Sequence, residues 1–336
     1  MDFRRLLKRT ALFLGEWLAY FAVVAVLAIL FMMQPVWVGD RVSADSHSNP
    51  RILQRHVEML SVKLPPREAV PDTLNIVAGY IYDELSQSSG DVSYQEFKVD
   101  GDTFRNVIAH FGPNDEQAPL YVIGAHYDSE EGNPGADDNA SGVAGLLELA
   151  RLFSLKPPTV PVELVAYALE EPPYFRTDAM GSFRHAKSLF EQHRTVGLMI
   201  SLEMLGYYSD AAGSQGYPVP GMDVLYPDSG NFIALVGNLG EPLIMRKFKR
   251  AYARSTDLPA YSITAPGFVP GIDFSDHLNF WRFDFPAVMV TDTAFYRNAN
   301  YHYASDTIDK LDFERMAKAV DGVFGAINGF ESASPL

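Results

Sequence analysis

Residues 124–142, GAHYDSEEGNPGADDNASG, gather His126, Asp128, Glu130, Glu131, Asp137 and Asp138 into a stretch that opens as a buried strand and ends as a helix start. Carboxylates crowded around an imidazole repel one another unless water or a cation separates them. A strand ending in His126, a loop loosened by Gly132 and Gly135, and Asp138 at the mouth of the next helix let two ligands approach one ion from different directions. Asp128 follows His126 by two residues, so on an extended chain it points to the same side and can orient the imidazole. Helix capping by Asp138, Asn139 and Ser141 explains part of the pattern, but not His126 or the surplus of acid.

Further candidates lie downstream. In ALEEPPYF, Pro172 and Pro173 stop the strand, so Glu170 and Glu171 can both reach one cavity, one to bind metal and the other to handle protons. Glu203 in SLEML and His302 in NYHYASDT complete a nitrogen and oxygen set of His126, Asp138, Glu171, Glu203 and His302. Five ligands with one shared carboxylate suit two divalent ions about 3.5–4 Å apart. The chain has no cysteine, which excludes thiolate sites and disulfides. His277 in SDHLNFW is a second candidate for the metal, and with Asp276 it reads as a support or substrate contact. His185 and His193 read as solvent-facing, Arg297 as a solvated loop residue, and the Asn139-Ala-Ser141 glycosylation pattern as chance.

The elements needed to position these groups follow from periodicity. Segments 120–128, 162–170, 198–205 and 287–294 are short, apolar, β-branched runs, as expected of strands covered on both faces. Helical stretches at 138–154, 179–193, 241–256 and 311–330 alternate with them, and 71–87 is an amphipathic helix. DGD at 100–102, between VSYQEFKV and FRNVIAHF, predicts a hairpin. The expected class is α/β, a three-layer sandwich whose mostly parallel central sheet carries helices on both faces. In such sheets ligands bind beyond the carboxyl ends of the strands, where the candidate residues fall.

The ordered run GAHYDS, GADDNASG, LEE, LEMLGY, SDH, YHYASDT resembles the co-catalytic zinc aminopeptidase family, which includes bacterial leucine aminopeptidases, glutamate carboxypeptidases and glutaminyl cyclases. The likeness spans roughly residues 95–330. It implies two zinc ions, one on His126, Asp138 and Glu203 and the other on Asp138, Glu171 and His302, with Asp138 bridging. By the same resemblance Glu170 is the general base toward a zinc-activated water, Asp128 holds His126, and Tyr301 steadies the tetrahedral intermediate. The family's aminopeptidases usually carry aspartate where this chain has Glu203, and one added methylene moves the carboxylate by about 1.5 Å.

The N-terminus adds a membrane element. Residues 17–33 carry no charge and follow the basic RRLLKR at 4–9, which predicts a transmembrane anchor with its basic flank in the cytoplasm and the rest outside it, periplasmic or extracellular. Cleavage at VSA, 43–45, is the rival reading, disfavoured because it lies far beyond the apolar run. The expected organisation is 1–40 flank and anchor, 41–68 linker with a short helix, and 69–336 peptidase-like domain. Residues 1–40 hold one net positive charge of the chain's −15, so the remainder, at −16, repels nucleic acid. The leading expectation is a membrane-anchored zinc aminopeptidase acting on peptides. The alternatives are a glutaminyl cyclase-like acyl transferase with one zinc, and a non-catalytic receptor-like domain.

Overall fold

The N-terminal apolar run folds as one long helix, α1 (Phe3–Met33). The computed structural model describes residues 3–39 and 47–330, with side chains from residue 13 in α1. Residues 13–28 of α1 are exposed along every face, and Phe13–Met33 is long and apolar enough to cross a membrane. The VSA stretch, the side chains of the basic flank and residues 331–336 lie outside the described residues.

The expected linker at 41–68 differs from what folds there. Asn49 accepts the N–H of Arg51 and Pro50 opens α2 (Pro50–Glu58), which continues as helix through Lys63. Leu53, Val57 and Leu60, spaced four and three residues apart, are buried in the main core. From residue 50 onward this stretch is therefore part of the folded domain. It is followed by α3 (Pro71–Ser86) and by a hairpin of β1 (Val92–Val99) and β2 (Asp102–Phe111). Asp100 and Gly101 both take positive φ, 53° and 96°, as a two-residue hairpin turn requires.

The chain then alternates as its periodicity predicts: β3 (Leu120–His126), α4 (Gly142–Leu155), β4 (Val162–Tyr167), α5 (Gly181–Glu191) and β5 (Val196–Glu203). Next come β6 (Ile233–Gly237), α6 (Pro242–Ser255), β7 (Ala260–Thr264), α7 (His277–Trp281), β8 (Ala287–Thr291) and α8 (Phe313–Phe330). The eight strands form one sheet in the order β1-β2-β4-β3-β5-β8-β6-β7, with four of its seven pairings parallel. Six of these strands are the hairpin and the four apolar runs of the sequence, and β6 and β7 are additional.

Alternate side chains of each strand serve opposite layers, as a pleat demands. Ile123, Ala125, Leu164 and Ala166 join α2, α3, α4, α6 and α8 in the larger core, while Val122, Val165 and Tyr167 pack with Ala186 and Leu189 of α5 and Phe280 of α7. Helices thus cover both faces of the sheet. The middle strands β4, β3, β5 and β8 run parallel, so their carboxyl ends open onto one rim.

Candidate metal centre

His126 ends β3, Glu203 ends β5, Glu170 and Glu171 follow β4, and the turn after β8 leads to His302. Asp138 sits between β3 and α4, where Asn139 rather than Asp138 does the capping: its side-chain oxygen accepts Gly142 N at 3.1 Å and Met204 N at 3.0 Å. Asn139 is fully buried, so the glycosylation pattern it heads is closed to modification in the fold.

All eight predicted site residues converge. Nε2 of His126 stands 3.4 Å from Asp138 Oδ1, 3.4 Å from Glu203 Oε2 and 3.9 Å from Glu170 Oε2. Nε2 of His302 stands 3.2 Å from Asp138 Oδ2 and 3.2 Å from Glu171 Oε2. Two atoms bound to one tetrahedral ion at 2.0–2.1 Å lie about 3.3 Å apart, so these separations are those of ligands around a cation. Both nitrogens of His126, Oε1 of Glu171 and Nε2 of His302 are buried without hydrogen-bond partners. Buried polar atoms are rarely left so; cations at Nε2 of the two histidines and at Glu171 would satisfy three of them, and Asp128 faces Nδ1 of His126. The residues present fit zinc.

The electrostatics of these side chains point the same way. Burial alone lowers a histidine, yet Glu203 and Glu170 push His126 well up, and Asp138 and Glu171 carry His302 up to about 10. Burial raises Glu170 well above the usual carboxylate range and Glu171 to about 8, the latter helped by Asp138. Asp138, which burial would raise, is held low by its two histidines. Such shifts are those of a donor set that competes with protons for a cation.

Supporting contacts hold the ligands in place. Asp128 Oδ1 lies 3.5 Å from His126 Nδ1, and Asp128 Oδ2 accepts the N–H of Glu171 at 2.9 Å. Ser275 Oγ donates to Glu203 Oε2 at 2.7 Å. Tyr301 stacks on His302, ring centroids 3.8 Å apart, and burial keeps its hydroxyl protonated. Beside Glu203 and Tyr301 opens an apolar cavity walled by Met222, Tyr226, Phe232 and Met289.

Several participants are absent from the sequence-derived set. Asp306, in the YHYASDT motif, accepts the backbone N–H of Asp137 at 3.0 Å and of Asp138 at 3.0 Å, fixing the backbone under the shared carboxylate. Arg67 is 1% exposed and donates to the carbonyls of Leu60, Tyr127, Pro134 and Gly135, pinning the loop between His126 and Asp138. Gly135, at φ 59°, is pressed against that guanidinium where a Cβ has no room. Glu130 brings a carboxylate within reach of Glu171 and His302.

Other expectations are corrected. His277 turns away, with Nε2 2.8 Å from the Ile272 carbonyl and its ring edge-on to Trp281. Asp276 is fully buried, and burial raises its carboxyl to about 7 against the pull of His126 and Ser182. His185 does not face solvent: it lies 2.9 Å from Tyr167 OH and 3.0 Å from Glu163, because its side of α5 packs on the sheet. Arg297 is likewise buried, donating to Gln215 and Tyr207 and lying over Phe232.

A sequence model of peptidase family M28 matches residues 106–327, which hold all eight predicted site residues. The chain belongs to peptidase family M28. The Escherichia coli (strain K12) protein YfbL is 50% identical over 309 residues, covering 89% of this chain and 94% of that one. BSAP, a zinc aminopeptidase from Bacillus subtilis, superposes with a TM-score of 0.69 at 15% identity, covering 87% and 98% of the two chains. A Bacteroides thetaiotaomicron glutaminyl cyclase does so at 0.63 and 17%, covering 84% and 98%. At such identities the structural likeness speaks for the fold, while M28 membership makes the chain a metallopeptidase by family.

Proposed function

We propose that this M28 protein is a zinc-dependent aminopeptidase, anchored by α1 with its catalytic domain outside the cytoplasm, that removes N-terminal residues from peptides. The observation carrying this reading is the disposition of Asp138, whose Oδ1 faces His126 and whose Oδ2 faces His302. One carboxylate presenting a separate oxygen to each histidine favours two ions, on His126, Asp138 and Glu203 and on Asp138, Glu171 and His302.

Bound zinc supplies Lewis acidity to the substrate carbonyl and acidifies water. The remaining work falls to protein groups. Glu170, at the rim of the centre, takes a proton from the attacking water and delivers it to the leaving nitrogen as the C–N bond breaks. Asp128 holds the imidazole of His126. Tyr301, kept protonated, donates a hydrogen bond to the oxygen on which negative charge develops. The apolar cavity accommodates the side chain of the residue released.

Zinc analysis of the purified chain and hydrolysis of amino-acyl arylamides, compared with the same substrates bearing a blocked amine, test this reading. A zinc-loaded protein inert on both sets overturns it. The Ser275 hydrogen bond to Glu203 supports a second reading, in which Glu203 is spared from metal and a single zinc on Asp138, Glu171 and His302 serves glutaminyl cyclisation. One equivalent of zinc with pyroglutamate as product distinguishes it.

A further inference from the structure

A helix ends with carbonyls that have no partner within it, and at the end of α1 those partners come from the catalytic domain. Gln34, at φ 41°, turns the chain out of the helix while its N–H donates to Leu30 O at 3.0 Å. The Met33 carbonyl accepts from Lys249 Nζ at 2.8 Å and from Ser262 Oγ at 2.6 Å. Gln34 Nε2 donates to Thr264 Oγ1 at 2.8 Å. Gln34 and Lys249 are 4% and 7% exposed, so this is a built junction. An ammonium at a helix C-terminus also meets the negative end of the helix dipole.

The acceptor strand is a wall of the apolar cavity. Ser262 lines that cavity, and its carbonyl accepts the hydroxyl of Tyr226, another wall residue, at 2.9 Å. Tyr261 lines both the cavity and the groove that holds Ile29, Leu30 and Met33. β7 is the outermost strand, paired only with β6, so the sheet supports it from one side. The helix end adds a second support, through the side chains of Ser262 and Thr264.

We infer that the end of the N-terminal helix is a structural part of the substrate side-chain pocket, with Lys249 as the positioning residue that clamps Met33 to β7 and thereby sets which side chains the pocket accepts. This rests on the aminopeptidase reading, in which that cavity receives the released residue's side chain. A large side chain fills the cavity and meets β7, whereas alanine does not, so loosening the wall acts on the former alone.

The test uses the full chain in detergent with zinc. Lys249→Met keeps the buried stem and removes the ammonium, and Gln34→Ala removes an independent contact. For each variant, KM on leucyl and phenylalanyl arylamides should rise about fivefold, the scale of one lost hydrogen bond, while kcat and the alanyl substrate stay unchanged. Amide hydrogen exchange over residues 260–264 should quicken. Unaltered exchange in both variants overturns the clamp. Faster exchange with an equal loss on all three substrates overturns its role in selection. Should the wild-type chain hydrolyse no arylamide, the aminopeptidase reading fails separately, and the exchange measurement still decides the clamp.

Discussion

Asp128 ties the two sides of the centre together: one oxygen lies 3.5 Å from His126 Nδ1 and the other accepts the N–H of Glu171 at 2.9 Å. A single carboxylate thereby orients a ligand on β3 and anchors the loop that follows β4. Asp128→Asn keeps the shape and loses the charge that favours Nε2 of His126 as the metal-facing atom. Zinc affinity, measured against a competing chelator, should fall roughly 10- to 100-fold.

Glu170 differs from its neighbour in having no histidine closer than 3.9 Å, which suits a group that moves protons rather than one that binds metal. Glu170→Gln should reduce arylamide turnover by roughly a hundred- to ten-thousand-fold while zinc content stays at the wild-type level. Turnover with elemental analysis of the same preparation checks both halves.

Glu203 reaches His126 and Ser275 at once, 3.4 Å and 2.7 Å away. Shortening it draws the carboxylate back by about 1.5 Å, beyond the tolerance of a zinc bond. Glu203→Asp should therefore lose zinc from the His126 side first, lowering the bound stoichiometry by one ion.

Arg67 donates to four buried carbonyls, of which Gly135 O also accepts the N–H of Ala140 at 3.1 Å. Arg67→Met should destabilise the fold by about 3 kcal/mol or more in urea unfolding, and Arg67→Lys should recover only part, since one ammonium cannot span four acceptors. A chain beginning at residue 69 loses α2 as well and should not fold.

Two histidines give stability a defined pH dependence. His56, 2.7 Å from Tyr80 OH, is lowered to about 4 by burial and by Arg55, and burial lowers His277 to about 4 against the pull of the Ile272 carbonyl. Both are neutral when folded and take a proton near pH 6.5 when unfolded. Their stabilisation, about 3 kcal/mol each, is complete above pH 6.5 and lost as pH falls from 6.5 to 4. The gap in thermal midpoint between wild type and His56→Gln should narrow over that interval.

What was legible in the sequence were the groups that chemistry forces into view. His126, Glu170, Glu171 and Glu203 stand at the ends of apolar strands, where charge is out of place unless used. What escaped were residues whose role depends on distant partners. Arg67 looks like any polar residue in a proline-rich stretch until the fold brings four carbonyls around it. His185 was hidden by the same logic, though Glu163 inside the buried strand VELVAY signalled that a partner must exist.

The docking of α1 on β7 also bears on self-association. A sheet's outer strands invite pairing with another molecule, and here the last turn of α1 packs beside one of them. The opposite margin, β1, alternates exposed Glu96 and Lys98 with buried Phe97 along its outer run. The packed end of α1 lies at one border and the charges of Glu96 and Lys98 at the other, and each makes its border a poorer template for an intermolecular β-ladder.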